Sequence, residues 1–365
     1  MSFFYLTLRG MSSSVENISS RFPAEWEPQE AVQLTWPHPD TDWYELDKVL
    51  ECYCRVAKAI QRFTRVIIVT RDIAECKADI ARVASTGQDV PAVSEIKFYE
   101  IPLNDTWARD HGGISVVGQE GEKYIFDFVF NGWGLKFHAD KDNMITRRMN
   151  FAGAFADDAV VIDMAPFVLE GGSIDSDGAG TLLTTHDCLT SINRNQQYDD
   201  EELDTIIKKI FGLKRIIWLW AGELAGDDTD SHVDIFARFC SEDTIAYTAC
   251  DDPSDVNYPP LRDLEDQLKK LRTLSGEPYK LVPLPLPDPL YLDDYRLPAS
   301  YANFLITNGG VLVPGCESPK DEIVRKILSG VFPDKEVVVI DCRPLLSGHG
   351  GLHCITMNYP KGYVK

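Results

Sequence analysis

The chain is short of positive charge. Its 365 residues carry 36 Lys and Arg against 57 Asp and Glu, a formal net charge of −21. Nucleic-acid backbones are held by clustered Lys and Arg, so this balance argues against a nucleic-acid partner. A negative field instead draws cations, though acidity also simply keeps a protein soluble. Long apolar runs are missing too. No stretch of about 18 apolar residues occurs, so no membrane-spanning helix is expected. The start, MSFFYLTLRG, lacks the charged leader of a signal peptide, and a second Met stands at position 11. Residues 1–20 are read as a disordered or extra lead, with translation beginning at Met1 or Met11, and 21–365 as a single domain.

Paired cysteines are absent. The nine cysteines are odd in number, and none falls in a C-x-x-C pair. Cys52 and Cys54 lie on a predicted helix, where i and i+2 point apart. A reduced, cytoplasmic protein fits better than a disulfide framework. Neither a phosphate-binding G-x-x-x-x-G-K-[ST] nor a G-x-S-x-G nucleophile elbow is present. His349 and His353 have the spacing of two metal ligands on a helix, but Gly350 and Gly351 argue against a helix there. With no second ligand pair, no metal is expected.

What is there alternates short apolar strands with amphipathic helices. Residues 42–63 set Leu46, Val49, Leu50, Tyr53, Val56, Ala57, Ile60 and Phe63 on one helical stripe. Helices are also expected near 72–84, 142–154, 199–212, 259–274 and 319–330. The helix at 199–212 has an acidic first turn and a Gly stop. Strands are expected at 65–70, 95–101, 159–164, 181–185, 215–220, 232–239, 243–249 and about 336–340, with hairpins across 114–130 and from NFLITN to VLVPG. LVPLPLPDP at 281–289 reads as a Pro-rich loop. The fold class is α/β. Polar cassettes recur at strand ends: WARDHGG at 107, EGGSID at 170, SHVDIF at 231, ASYANF at 299 and GHGGLHC at 348. Their spacing suggests repeated supersecondary units around an axis. An ordinary α/β sheet would alternate similarly.

Several residues in these cassettes could carry chemistry. Cys354 follows two glycines. A thiol in a strand is commonly a small core residue, and a nucleophile needs a partner or a cationic substrate that sustains its thiolate. His353, its neighbour on an extended chain, points the other way. His232 and Asp234 alternate along the expected strand and share a face, where they either act together or form a surface ion pair. Asp110 sits at a Gly-rich junction, as a functional carboxylate or an Asx turn. Glu170 lies between an apolar run and two glycines, so it needs a partner or a raised pKa. Asn303 is an uncharged donor and acceptor in an apolar strand.

The ordered set WARD-x-GG, EGGSI, DxTDSHVDIFARF, SYANF and GGLHCIT resembles the agmatine deiminase family. PAEWEPQEAVQLTWP at 23–37, FNGWG at 130–134 and TTHDCLTSINRN at 184–195 match it as well. The resemblance runs from about Phe22 to Pro360. It implies the five-bladed, pseudo-symmetric β/α propeller of guanidino-modifying enzymes, without metal or other cofactor. It also implies a role for each position. Cys354 matches the nucleophile, His232 the general acid/base, and Asp110 and Asp234 the carboxylates that hold the guanidinium. Glu170 matches the acidic support of the histidine, Trp107 lines the pocket, and Asn303 joins its polar network. The sequence departs from the family pattern at Ser231, Ser347, His349, Leu352, His111 and Gly113. His111 falls beside Asp110, where it could alter the pocket.

The implied activity is hydrolysis of agmatine to N-carbamoylputrescine and ammonia through a Cys-linked thiouronium, as in putrescine and polyamine biosynthesis. The expected partner is a small cationic guanidino substrate, the expected setting is cytoplasmic with no membrane partner, and a homo-oligomer is possible. Arginine or peptidyl-arginine is the rival substrate. A clamp Arg at the pocket mouth would favour these, and FNGWGLKF offers only Lys136. A non-catalytic polyamine-binding protein is the alternative outside enzymes. Arg109 and Arg238 are expected to be structural, because a cation in the pocket would repel the substrate. The 281–289 loop and LDDYRLPAS are candidates for a cover over the site.

Overall fold

Strands and helices repeat in one order five times. The structure, a computed structural model, describes residues 20–41 and 43–365. The expected lead and the choice of start Met lie outside these residues, except that Ser20 pairs with Gly118 in a two-residue strand. Each unit is an antiparallel strand pair, then a helix, then a strand parallel to the second of the pair. The first unit has Ile114–Gly118, Lys123–Val129, the helix Ile145–Phe151 and Ala159–Val168. The second has Ile174–Ser176, Thr181–Thr185, the helix Asp200–Phe211 and Arg215–Leu219. The third has Ala237–Ser241, Thr244–Ala249, the helix Tyr258–Leu268 and Lys280–Pro285. The fourth has Leu305–Ile306, Gly310–Gly315, the helix Pro319–Val331 and Glu336–Asp341.

The fifth unit joins the two ends of the chain. Its first strand, Thr356–Pro360, pairs antiparallel with Gln29–Thr35, which leads through the helix Leu46–Gln61 to Arg65–Thr70. Ile96–Glu100 extends that sheet. The sheets are mixed and none closes on itself. Among the described residues no helix is long and apolar enough to cross a membrane.

Local chemistry accounts for the helices. Asp199 and Glu202 form a reciprocal capping box, and Gly212 stops the same helix at φ 63, in the left-handed region. Asp72 caps the helix Ile73–Ser85 through the Ala74 and Glu75 N–H groups. Ser318 caps the helix opened by Pro319. Their apolar faces pack on the strands of their own units. Val49, Leu50, Tyr53, Val56, Ala57 and Ile60 meet Val66 and Ile68, and Leu46 and Phe63 edge the stripe half-buried. Leu203, Ile206 and Ile210 meet Leu182 and Ile216. Each such side chain contributes roughly 1.5–3 kcal/mol on leaving water.

Three expectations need correction. Residues 281–289 are not simply a loop: Lys280–Pro285 is a strand at the edge of its sheet. Pro283 and Pro285 share parity, so both missing N–H groups fall on the side without a neighbour, where a strand tolerates proline. Residues 232–239 are not one strand. Val233–Ile235 forms a 3-10 turn, and the strand starts at Ala237. The helix expected over 142–154 is the 3-10 turn Asp142–Met144 followed by Ile145–Phe151.

This repeat explains the cassettes. Cys354, Asp110, Glu170, Asp234 and Asn303 each lie within four residues before the first strand of a unit. The same junction, repeated five times, delivers a polar side chain from each unit.

Candidate active site

A cavity of about 210 Å³ opens beside these junctions, with Cys354, Asp110, Trp107, Trp133 and Asp228 in its wall. Asp110 is placed by the short helix Ala108–His111, not by an extended chain. Successive side chains of a helical turn diverge by about 100°. Asp110 therefore faces the cavity while its neighbours turn away. Arg109 reaches Asn358 at 3.1 Å and Glu25 at 3.5 Å. His111 is buried against Phe130 and lies 3.4 Å from the Thr35 hydroxyl. Burial pushes its pKa down to about 3. It is not a wall of the cavity, so the expected effect of His111 on the pocket is not direct.

Asp110 is buried but well supplied with donors. Its Oδ2 accepts the Trp133 indole N–H at 3.0 Å, and its Oδ1 accepts the Gly172 N–H at 3.1 Å. Burial, reinforced by the charges of Asp234 and Glu170, pushes its pKa up to about 6 against the pull of His232. His232 Nδ1 lies 3.6 Å from Asp110 and Nε2 lies 3.3 Å from Glu170. Burial opposes charge on this ring, but Asp110, Cys188 and Glu170 outweigh it and raise its pKa well above the usual value. The result is an imidazolium poised to give a proton.

Glu170 has the partner that its apolar setting demands. Arg194 Nε donates to it at 2.8 Å, and the rest of that guanidinium binds Asp230 Oδ2 at 2.6 Å and the Thr229 carbonyl at 2.9 Å. Burial works against the carboxylate charge, yet Arg194 and His232 hold its pKa below the ordinary value. Among the described residues, one group has metal-ligating atoms close together: Glu170, Cys188 and His232, within 4.8 Å. Arg194 already compensates the carboxylate there. His349 and His353 do not form a ligand pair, since their partners are the Gly226 carbonyl and two carboxylates respectively.

Asp234 lies behind the cavity wall. Its Oδ2 faces His353 Nδ1 at 2.7 Å, while its Oδ1 is buried without a hydrogen-bond partner among the described residues. Burial raises its pKa, but the bond and charge of His353 lower it further. Gly172 separates these groups. A Cβ there would lie 2.6 Å from His232 Nδ1, 2.9 Å from Asp110 Oδ1 and 3.2 Å from Asp234 Oδ2. Only glycine lets the three side chains converge.

Cys354 sits in the turn before its strand, not within it. Asn303 Nδ2 is 3.4 Å from its Sγ, and the Asn303 Oδ1 accepts the His353 N–H at 2.9 Å. Burial first, then the charges of Asp234 and Asp110, raise the thiol pKa well above its usual value. The resting site thus holds a neutral thiol that only an added positive charge would ionise. Trp107 donates to Asp105 at 3.0 Å and lies between Trp43, whose ring is tilted to it by 46°, and Trp133, which meets it edge-on at 77°.

The alignment of the chain with known proteins accords with this geometry. The model of the Porphyromonas-type peptidyl-arginine deiminases matches residues 21–360. The chain belongs to that family. It is 34% identical to an agmatine deiminase of Pseudomonas syringae pv. tomato, covering 93% of this chain and 95% of the relative. A Porphyromonas gingivalis structure provisionally described as an arginine deiminase is 48% identical with a TM-score of 0.88, covering 95% of this chain and all of that one. A cysteine-to-serine variant of the C. jejuni agmatine deiminase with substrate bound is 36% identical with a TM-score of 0.84, covering 94% and 97%. The α/β architecture is therefore that of guanidino-modifying enzymes.

Two of the departures from the family pattern have a backbone meaning. Ser231 stands at φ 71 and His349 at φ 67. Both lie in the left-handed region, which costs a side-chain-bearing residue roughly 1–2 kcal/mol. Local bonds offset this. The Ser231 N–H and hydroxyl bind Asp227 at 2.7 Å and the Gly222 carbonyl at 2.6 Å. Sequence reasoning missed Trp133, Arg194, Cys188, Glu25 and Asp228. Trp133, Arg194, Cys188 and Glu25 lie within matched motifs, FNGWG, TTHDCLTSINRN and PAEWEPQEAVQLTWP, and that was their only signal.

Arg238 is structural, as expected. It is fully buried, lies 3.1 Å from Glu25 and 3.3 Å from Asp175, and donates to the Phe304 carbonyl at 2.7 Å. Lys136 does not reach into the cavity as a free cation; it is bound to Asp230 and the Asp228 carbonyl, both at 2.6 Å. Of the expected cover, Tyr291–Leu292 and Tyr295–Arg296 form a small ribbon, and the Tyr295 ring meets His349, a cavity residue, at 5.3 Å.

Proposed function

We propose that the chain is a deiminase that hydrolyses agmatine to N-carbamoylputrescine and ammonia through a covalent thiouronium on Cys354. The observation that carries this reading is a thiol and a carboxylate, Cys354 and Asp110, in one cavity wall, backed by the open Oδ1 of Asp234. A buried acceptor calls for a donor. A guanidinium supplies planar N–H groups and the charge that both carboxylates await.

Substrate enters with its guanidinium against Asp110 and Asp234. Its charge offsets the two carboxylates that suppress ionisation of Cys354, and the thiol gives up its proton to solvent water. The thiolate attacks the central guanidine carbon, forming a C–S bond. His232, held charged by Asp110 and Glu170, protonates the departing nitrogen, which leaves as ammonia. The neutral imidazole then takes a proton from water as the water oxygen adds to the thiouronium carbon. Collapse breaks the C–S bond, and the hydroxyl proton of the adduct passes to the departing sulfur, so the thiol is restored as the ureido C=O forms and the product leaves. Asn303 steadies the sulfur, and Trp107 forms the pocket side. The five units act as blades of a pseudo-symmetric β/α propeller, with residues 21–365 as one catalytic domain. Identical strand pairing in every unit supports that finer description. A cytoplasmic setting, a small cationic substrate and a possible homo-oligomer complete the reading.

Agmatine is favoured over arginine by Asp228. Its carboxylate lines the cavity and accepts no hydrogen bond among the described residues. It would attract a terminal amine and repel the carboxylate of free arginine. Arginine or peptidyl-arginine is the second reading, favoured by what the P. gingivalis relative and the family model are called. A non-catalytic polyamine binder would leave the thiol without a task. The test is ammonia release from agmatine, arginine and an arginyl peptide, with Cys354→Ser as control. Asp228→Asn is expected to raise KM for agmatine by ~5- to 10-fold while leaving arginine unharmed. Ammonia from none of the three overturns the enzyme reading; ammonia chiefly from arginine or the peptide moves the substrate.

A further inference from the structure

The motif PAEWEPQEA carries no catalytic group, yet its Glu25 is buried at the centre of the molecule. Its Oε2 faces His353 Nε2 at 2.8 Å, Arg238 at 3.1 Å and Arg109 at 3.5 Å, while its Oε1 accepts the Ile306 N–H at 2.7 Å. These contacts come from the first, third, fourth and fifth units. On the other side of the same imidazole, Nδ1 meets Asp234 Oδ2 at 2.7 Å. His353 is thus a bridge between the buried carboxylate of Glu25 and a carboxylate at the site.

We infer that His353, braced by Glu25, is a positioning residue that fixes the Asp234 carboxylate with one oxygen occupied and the other left open for the substrate. Three features support this. Asp234 Oδ1 has no partner although it is buried, whereas Oδ2 makes a short bond. Both ring nitrogens face carboxylates, Nδ1 that of Asp234 at 2.7 Å and Nε2 that of Glu25 at 2.8 Å, so the ring is held at both edges. Arg109 and Arg238 hold Glu25 from its other side, and Arg238 also reaches Asp175, so the brace is itself fixed. A carboxylate so held cannot rotate to hydrate or to pair twice with His353, so the open oxygen keeps its direction before substrate arrives. Pre-set acceptors spare the substrate the cost of ordering them. The ring cannot serve Cys354 directly, because it is committed on both edges.

This inference rests on the deiminase reading, and two isosteric changes in the full chain separate it from a merely structural role. In His353→Asn the amide can donate where Nδ1 lies, toward Asp234. In His353→Gln it can donate only where Nε2 lies, toward Glu25. Each keeps one of two buried bonds, so both should lower Tm to a similar degree. Agmatine binding by calorimetry, in the Cys354→Ser background to prevent turnover, should weaken ~10- to 100-fold for Gln and under ~5-fold for Asn. KM in the Cys354 protein should follow the same order. Equal affinity loss in both variants, or none in either, overturns the positioning role. If the Gln variant does not fold, Glu25→Gln leaves the imidazole in place and removes its brace; affinity within twofold of the parent overturns the role of Glu25. Wild type inert toward agmatine sinks the deiminase reading instead.

Discussion

Asp110→Asn removes a charge while keeping the shape of the side chain, and three measurable quantities should then respond differently. The carboxylate is buried, and its pKa is pushed from 3.8 to about 6. A folded pKa above the unfolded one means that stability falls as pH rises between these values, and at neutral pH the charge costs roughly 3 kcal/mol. Asn removes that penalty but can accept from only one of the Trp133 and Gly172 N–H groups, and the buried donor left unpaired costs about 1–3 kcal/mol, so Tm at pH 7 should change little. Asp110 is also one of two charges that suppress the thiolate of Cys354. Its loss should lower the thiol pKa, making iodoacetamide inactivation of the resting protein at least several-fold faster at fixed pH. Catalysis should move the other way. One charged hydrogen bond to the guanidinium is lost, and His232 loses the foremost carboxylate that keeps it protonated. The expected fall in kcat/KM is at least ~10- to 100-fold, with the alkaline limb of the pH profile shifted to lower pH. The assays are thermal unfolding, alkylation kinetics and ammonia release on the same preparations. A variant that is less active and also more slowly alkylated would refute the reasoning, because it would mean that Asp110 supports the thiolate instead of suppressing it.

Gly350→Ala should lower stability by ~1–3 kcal/mol and depress activity, since the added methyl meets the Trp107 ring in the cavity wall; unchanged urea unfolding and full activity would show that the wall yields freely. Acid should unfold the protein through its central carboxylates. Glu25, Glu170 and Asp234 all have folded pKa values below the ordinary ones despite burial. Their stabilisation is present above the usual carboxylate pKa values, near 4, and is lost as pH falls through the folded ones. Glu25→Gln should flatten the acid limb of a stability-versus-pH curve; an unchanged limb would place the sensitivity elsewhere.

Much of this was legible along the chain. The stripe from Val49 to Ile60, the Asp199 cap and the Gly212 stop declare helices because their signals are local. The ordered cassettes gave the family and the identity of the principal polar residues. Three features were not legible. The prolines at 283 and 285 read as a loop, because an edge strand is defined by its neighbours. SHVDIF reads as a strand by alternation, but the 3-10 turn serves the convergence of His232 and Asp234 with groups from other units. Asp110 and His111 are adjacent in sequence, and only a helical turn sends one to the cavity and buries the other.

The sequence by itself determined most element types, the charge and the chemical groups at hand, since these depend on each residue and its near neighbours. Tertiary structure decided which groups share a low-dielectric space. Glu25 and His353 stand at opposite ends of the chain, and Arg194 meets Glu170 across 24 positions. Their pairings, the neutral resting state of Cys354 and the open oxygen of Asp234 follow from burial and distance, neither of which one strand of sequence specifies.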